Sequence, residues 1–270
     1  MMNLFDIDAP ALSAEQILFG WRDTPRLVAV EITDTEAILH QRAPDGSCTS
    51  WRERLTPWLL TTQQYTDIDA QWKRLDGDGF CWMAQFGSWT EYQSARMRLR
   101  DMHVDVIAYG SPERQFLMLS GYTLFKGMSF DDVHRMQVDI ETVGLNPQEP
   151  ANRILLVVLN DNRGWSEVID DADEAQMLRR FAQLVCERDP DVIEGHNLYG
   201  FDLPYLIERA RRHGLSLTIG RSGQPMTIGS ERNLPIGAIN RPYRPVYIPG
   251  RHVVDTYFAV QRYDWAKGDL

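Results

Sequence analysis

Two carboxylates stand close together in a stretch that is otherwise largely apolar, residues 136–145, which reads MQVDIETVGL. The first five of these residues could form a buried strand, but Asp139 interrupts their apolar character and Glu141 follows two positions later. Because side chains alternate between the two faces of a strand, Asp139 and Glu141 are predicted to point the same way. Neighbouring carboxylates repel each other unless cations neutralise them, so this pair predicts a chemical role.

A second informative stretch, residues 194–210, reads EGHNLYGFDLPYLIERA and joins a predicted strand to a predicted helix. Asp202 is placed where a helix N-terminus favours an anion, and taken alone it is most simply a helix cap. Two strand ends and a helix start can, however, bring Asp139, Glu141 and Asp202 into one cluster. Such oxygen ligands suit Mg²⁺ or Mn²⁺.

The elements that must position these residues fall into two blocks, and the length of 270 residues also favours two domains. Residues 1–131 predict a smaller, mostly-β domain, with a hairpin over 27–42, extended chain at 53–62 and 114–125, and a helix over 88–103 capped by Ser88 or Thr90. The tryptophans of this block are predicted to be mainly core residues rather than a base-stacking platform: Trp51, Trp58, Trp72, Trp82 and Trp89.

Residues 132–270 alternate strands and helices, which predicts an α/β fold with a mixed sheet and flanking helices (α+β for the whole chain). The predicted elements are strands at 134–142, 153–161, 164–170 and 191–197, helices at 172–188 and 203–213, polar hairpins, and a strand that runs into a helix at 250–260. Asp171 or Asp173 is the predicted cap of the first helix, and Gly214 ends the second.

Composition excludes several classes of protein. Hydrophobic residues make up 43% and charged residues 24%, which is ordinary for a globular protein. The longest aliphatic run, ILLVVL, is too short to span a bilayer, and the first ten residues show no signal peptide. Three widely spaced cysteines fit neither a disulfide framework nor a zinc knuckle, so a cytoplasmic protein is predicted.

The net charge of −10 argues against a general nucleic-acid coat, but the charge is unevenly distributed. From Leu203 onward there are ten Lys/Arg and five Asp/Glu residues, so this part is locally basic. A DNA-binding face and a merely solvated arginine-rich surface are equally compatible with that distribution.

The sequences DIET and NLYGFD together resemble the first two exonuclease motifs of family B DNA polymerases, D-x-E and N-x-x-x-F-D. The flanking sequences resemble that family as well, so the likeness extends over nearly the whole chain. It implies a ribonuclease H-like fold of the DEDD exonuclease superfamily, preceded by the family's N-terminal domain. It also implies 3′→5′ exonuclease activity on single-stranded DNA ends.

In that family two Mg²⁺ or Mn²⁺ ions hydrolyse the phosphodiester. The resemblance implies that Asp139, Glu141 and Asp202 are the metal ligands and catalytic residues. It also implies that four residues position the 3′-terminal nucleotides: Thr142, Leu145, Asn197 and Phe201. For Phe201, simple helix packing is an alternative of nearly equal weight.

The third motif of the family, Y-x-x-x-D, is absent after Asp202, because none of the later aspartates has a tyrosine four positions before it. The resemblance therefore implies a truncated chain, with the polymerase domains on the missing C-terminal part. Asp255 could replace the missing ligand, although a structural role is the stronger alternative. His196 is expected to pack or to form hydrogen bonds, and His213 to interact with a helix dipole.

These observations leave three hypotheses. The chain is the exonuclease region of a family B polymerase, or a non-catalytic module that binds single-stranded nucleic acid or serves as a scaffold. A stand-alone DEDD ribonuclease is the weaker third hypothesis. The intact Asp139, Glu141 and Asp202 favour a nuclease, whereas the missing motif predicts weak cleavage or none.

Overall fold

The computed structural model describes residues 12–236 and 239–267. The first ten residues, where no signal peptide is predicted, lie outside this part. Two compact units follow each other along the chain, with the first ending at Met128 and the second beginning at Ser129, and we propose these units as the two domains. No helix in the described ranges is long and apolar enough to cross a membrane.

The first unit is built from short strands and helices. Its elements are α1 (Ala14–Phe19), β1 (Leu27–Ile32), β2 (Glu36–Arg42), β3 (Cys48–Arg54), β4 (Trp58–Thr61), β5 (Gln71–Arg74), β6 (Trp82–Gln85), α2 (Trp89–Asp101) and α3 (Pro112–Ser120). Strands β1, β2 and β3 form one antiparallel sheet in that order, and β4, β6 and β5 form another. Trp58 is buried, and Trp51, Trp72 and Trp89 pack against the two cores of the unit, as predicted.

The prediction of extended chain at 114–125 is wrong, because α3 occupies most of that stretch. Ser111 caps the helix by accepting a hydrogen bond from the N–H of Arg114, and Pro112 stands in the first turn. Gly121, with a φ of 75°, ends the helix. The apolar residues 116–119 resemble a strand, but the Ser-Pro-Glu start and the glycine stop decide the local structure. The predicted helix over 88–103 is confirmed as α2, with Ser88 as its cap.

The second unit starts with a 3-10 turn and continues with alternating strands and helices. Its elements are β7 (Arg135–Thr142), β8 (Ile154–Asp161), β9 (Ser166–Ile169), α4 (Glu174–Arg188), β10 (Val192–Gly195), α5 (Asp202–Arg212), β11 (Thr227–Ile228), β12 (Arg232–Ile236), β13 (Ile239–Tyr243), β14 (Val246–Tyr247), β15 (His252–Asp255) and α6 (Thr256–Lys267). Asp173, one of the two predicted caps, caps α4.

The described strands of this unit form a mixed five-stranded sheet in the order β15-β10-β7-β8-β9. Strand β10 runs parallel to both β15 and β7, whereas β7, β8 and β9 are antiparallel neighbours. The inner face of the sheet packs on α4 and α5, which supply Met177, Phe181 and Leu206 to one continuous core. The predicted mixed sheet with flanking helices is thus confirmed, and it places β7 between β10 and β8.

Candidate active site

Strand β7 presents Asp139 and Glu141 on its exposed face. Met136, Val138 and Ile140 alternate with these carboxylates and are at most 5% exposed, because they pack into the core. The prediction that Asp139 and Glu141 share one face is therefore confirmed. The apolar residues hold the strand in place, so the two acidic side chains can face solvent without disturbing the packing.

The last part of β7 lacks a strand neighbour on the β10 side. Strand β10 pairs with β7 only as far as Glu194 opposite Gln137. Farther along β7, the backbone N–H of Ile140 donates instead to the Asp202 carboxylate at 3.2 Å. Asp202 is the first residue of α5, so its side chain connects that helix directly to the strand that carries Asp139 and Glu141. This contact goes beyond the simple capping role considered for Asp202.

Asp202 is only 3% exposed, and this burial changes the pKa of its carboxyl group. The pKa of Asp202 is raised from 3.8 to about 7, mainly through loss of solvation, and the negative charges of Asp139 and Asp255 act in the same direction. The hydrogen bond from the Ile140 N–H acts in the opposite direction. Asp139 therefore lies near enough to Asp202 to affect its ionisation, and a cation between them would relieve the repulsion.

The three predicted carboxylates are only partly assembled. Asp139 and Asp202 interact electrostatically, but within the described residues no three His, Cys, Asp or Glu side chains lie close enough together to hold a metal ion. The donor chemistry fits Mg²⁺ or Mn²⁺, because both groups are carboxylates. The structure brings Asp139 and Asp202 together, and Glu141 lies on the same face of β7 as Asp139 without completing a group of three.

Asp255 has a structural role that the sequence alone left open. Its carboxylate accepts hydrogen bonds from the backbone N–H groups of Asn197 at 2.9 Å, Tyr199 at 2.9 Å and Tyr257 at 3.0 Å. The loop before Asp202 is thereby fixed to the start of α6. Asp255 is 6% exposed and its oxygens are already used by the backbone, so the structure favours the structural alternative.

The loop between β10 and α5 needs unusual backbone geometry. Asn197 has a φ of 68°, a conformation in which asparagine is several times more frequent than most residues. A Cβ atom at position 200 would lie 2.2 Å from the Asn197 Oδ1, so any residue other than glycine would require the Asn197 side chain to move. Asn197 is half-buried and lies in this loop, four residues before Phe201 and five before Asp202.

Phe201 lies half-buried and packs against the core of the second unit. Its ring centroid lies 5.2 Å from that of Tyr205 at an interplanar angle of 50°. The packing alternative for Phe201 is therefore observed, and the exposed part of the ring is still accessible to a base. His196 hydrogen-bonds through Nδ1 with the Thr256 hydroxyl at 3.3 Å, as its packing role predicts.

Helix α5 also holds the loop that follows β7. The Tyr205 hydroxyl contacts the carbonyl oxygens of Gly144 at 2.7 Å and Asn152 at 2.8 Å. The Arg209 guanidinium donates to the carbonyls of Pro147 and Glu149. Helix α5 thus positions Asp202 at its start and the β7–β8 loop along its length.

Two of the predicted substrate-contacting residues begin this loop. The Thr142 hydroxyl donates to the Gly144 carbonyl at 3.0 Å, next to an irregularity in the β7–β8 register between Glu141 and Thr142. Leu145 is 83% exposed, so its side chain is available for contact with a ligand. His213 contacts Glu174 at 2.7 Å, so its role involves an ion-pair network in addition to any helix dipole.

Comparison with known proteins identifies relatives of the second unit. Residues 134–265 match the family model described as DNA polymerase family B, exonuclease domain. A DNA polymerase of Pyrococcus glycovorans is 32% identical over 134 residues, which cover 44% of this chain and 17% of that protein. A DNA polymerase of Archaeoglobus fulgidus is 30% identical over 114 residues, covering 42% of this chain and 15% of that protein. The chain thus matches only a small part of either relative.

A solved structure extends the likeness to most of the fold. The family B DNA polymerase from the hyperthermophilic archaeon Pyrobaculum calidifontis superposes with a TM-score of 0.56 at 18% identity. The alignment covers 85% of this chain and 36% of that protein. At this identity the match establishes a shared fold.

Proposed function

Because residues 134–265 belong to the exonuclease domain family of family B DNA polymerases, we propose that this chain removes nucleotides from the 3′ end of single-stranded DNA. The observation that carries the proposal is the contact between Asp202 and the backbone of Ile140. It ties a buried carboxylate to the strand whose exposed face carries Asp139 and Glu141. A proofreading role beside a polymerase would follow from this activity.

Asp139, Glu141 and Asp202 are the proposed ligands of one or two Mg²⁺ or Mn²⁺ ions. When bound, such ions lower the pKa of an attacking water and stabilise the negative charge on the leaving 3′ oxygen. The protein's own contribution is positional. The Ile140 N–H fixes one oxygen of Asp202, and the Asp255 carboxylate fixes the loop that leads to it. Both contacts limit the movement of Asp202 relative to β7.

Four residues around these carboxylates are proposed to contact the DNA. Leu145 is exposed at the start of the β7–β8 loop, where it can pack against a base. Phe201 can offer the exposed part of its ring for stacking. The Asn197 side chain and the Thr142 hydroxyl offer polar groups that can hydrogen-bond to the terminal nucleotide.

We expect the chain to shorten a 5′-labelled single-stranded oligonucleotide slowly, from its 3′ end and only with Mg²⁺ or Mn²⁺. The rate should be on the order of a thousandfold below that of a nuclease with the Y-x-x-x-D motif, since an orienting tyrosine and a further carboxylate are missing. Asp139→Asn should lower the remaining rate by at least about a hundredfold. Gel analysis of the products over time would measure both effects.

The matched control for this experiment is Asp170→Asn, because Asp170 is exposed and lies at the far end of β9. This variant should keep the wild-type rate. Equal cleavage by wild type and Asp139→Asn would show that a contaminating nuclease or another group is responsible, and the proposed catalytic roles would be wrong.

One observation favours a second candidate function. The described part of the chain contains no ready group of three metal-binding side chains, which suits a module that binds single-stranded DNA without cleaving it. The same experiment separates the two candidates. Binding of the oligonucleotide with no metal-dependent shortening, in wild type and Asp139→Asn alike, would favour the binding module.

A further inference from the structure

Three polar side chains form a hydrogen-bonded row across the three-stranded sheet of the first unit. Ser50 on β3 lies directly opposite His40 on β2. His40 in turn lies opposite Ala29 on β1, so Glu31, two positions farther along β1, is on the same face of the sheet and within reach of the imidazole. None of the three polar residues takes part in the proposed function.

The imidazole of His40 has a hydrogen-bond partner on each side. Its Nδ1 lies 2.7 Å from the Ser50 hydroxyl, and its Nε2 lies 2.8 Å from Oε1 of Glu31. An ionised carboxylate can only accept hydrogen bonds, so Glu31 selects the tautomer in which Nε2 carries the proton. In the neutral ring Nδ1 is then the acceptor, and the Ser50 hydroxyl donates to it. A serine beside a base that a third group orients is the arrangement of an activated nucleophile.

Burial changes along this row in the way that a surface nucleophile requires. His40 is 3% exposed and Glu31 is 6% exposed, so little water competes for the hydrogen bond between them. Ser50 is exposed on β3, at the edge of the sheet that the described strands form, so a ligand can reach its hydroxyl. Burying a carboxylate and an imidazole costs free energy that two apolar side chains would not. A row that served only packing would not need to end at an exposed hydroxyl.

We infer that Ser50 is a nucleophile that accepts the acyl group of a small carboxylic ester, with His40 as general base and Glu31 as the residue that positions it. The Ser50 oxygen attacks the ester carbonyl carbon while its proton passes to Nδ1 of His40. The bond from that carbon to the leaving oxygen then breaks, and the leaving alcohol takes the proton. The acyl group remains on Ser50 as a new ester. Water that gives a proton to His40 can later hydrolyse this ester, which releases the carboxylic acid and restores the serine.

The test is the reaction of the whole chain with p-nitrophenyl acetate, which releases coloured p-nitrophenolate when it acylates the protein. Wild type should release about one equivalent in an initial burst, and peptide mass spectrometry should place the acetyl group on Ser50. Ser50→Ala should abolish the burst, and His40→Gln should lower the acylation rate at least about a hundredfold. Ser47→Ala is the matched control and should react like wild type, because the Ser47 hydroxyl is exposed but donates to Asp45 at 2.7 Å instead of to an imidazole.

Glu31→Gln distinguishes a positioning role of Glu31 from a purely structural one. The glutamine amide can donate to Nε2, which moves the ring proton to Nδ1 and deprives Ser50 of its acceptor. Heteronuclear NMR of the His40 ring should show the proton on Nε2 in wild type and on Nδ1 in this variant, whose acylation rate should fall at least about a hundredfold.

Three results would overturn the inference: a burst that persists in Ser50→Ala, an acetyl group found only on other residues, or wild-type acylation of a folded Glu31→Gln variant. Because Ser50 is exposed, Ser50→Ala is expected to keep the fold, so the first of these results can be obtained even if the variants at the two buried positions unfold.

Discussion

Asp202→Asn is expected to make the protein more stable at about pH 8, by about 2–4 kcal/mol, while abolishing any metal-dependent cleavage. In the folded protein, burial above all raises the pKa of Asp202 from 3.8 to about 7. Wild type must therefore bury a charged carboxylate at alkaline pH, which costs free energy. Asparagine is neutral at every pH and keeps an oxygen that can accept the Ile140 N–H.

The pH dependence of this effect has a definite sign. A group with a raised folded-state pKa contributes stability that is fully present below its unfolded pKa, here 3.8, and is lost as pH rises through about 7. Wild type and Asp202→Asn should thus have similar free energies of unfolding at about pH 4 and diverge between there and about pH 8. Urea unfolding at a series of pH values would measure the difference.

Asp161→Asn provides a control of opposite sign. Burial alone would raise the pKa of Asp161, but hydrogen bonds from Arg188 and His134 outweigh burial and lower it to about 2. The Asp161 carboxylate contributes stability that is present above its unfolded pKa and is lost as pH falls through about 2. Asp161→Asn should therefore be less stable than wild type near neutral pH. If Asp202→Asn were also destabilised at alkaline pH, the burial cost assigned to Asp202 would be wrong.

Divalent cations extend the same prediction. Millimolar Mg²⁺ or Mn²⁺ should raise the unfolding midpoint of wild type at alkaline pH, because bound cations stabilise only the folded state. Asp202→Asn should show little of this increase, since one proposed ligand has lost its charge. An equal increase in both proteins would indicate that the cations bind elsewhere.

Arg209→Met is expected to destabilise the protein by about 3–5 kcal/mol, the usual cost of leaving one partner of a buried ion pair alone. Arg209 is 4% exposed and Glu174 is 5% exposed, and the guanidinium donates to both carboxylate oxygens. Glu174 also accepts from the N–H of Ile154. Removing the guanidinium leaves this carboxylate facing only the backbone N–H and His213.

The double variant Glu174→Gln, Arg209→Met measures how strongly the two side chains of the ion pair are coupled. It should lower the free energy of unfolding by less than the sum of the effects of the two single variants, because neither partner remains as an unpaired buried charge. Arg211→Met is the matched control: its side chain is 70% exposed and pairs with Glu208 on the surface, so an effect within about 1 kcal/mol is expected. Denaturant unfolding of wild type, the two single variants, the double variant and Arg211→Met would test the prediction, and additive single effects would contradict it.

The ion pair between Arg209 and Glu174 also helps to hold a loop of the candidate site. The Arg209 guanidinium holds the carbonyls of Pro147 and Glu149, and the same loop contains Leu145. The sequence predicted a helix at 203–213, but nothing in it indicated that α5 binds the loop through polar side chains. Partners in such contacts stand far apart along the chain, so local periodicity carries no information about them.

Other parts of the fold were predicted correctly from local patterns in the sequence. The alternation in residues 136–141 correctly placed Asp139 and Glu141 on one face, and the helix predicted at 172–188 is confirmed as α4, with Asp173 as its cap. The error at α3 arose because an apolar run is compatible with either a strand or a helix, and the capping residues decided the outcome. The pocket of about 580 Å³ beside the loop between β10 and α5 was not predicted, because its lining residues Tyr199, Tyr243 and Phe258 come from separate parts of the chain.

The hydrogen bonds of Asp255 have a consequence for protein synthesis. Asn197 and Tyr199 lie 58 and 56 residues before the carboxylate that accepts their N–H groups. While the ribosome has released only the chain up to α5, β7 and Asp202 are already present but the loop between β10 and α5 lacks its acceptor. The loop can take its final conformation only after β15 has emerged and paired with β10. The candidate active site is therefore completed only after its own residues Asp139, Glu141 and Asp202 have left the ribosome.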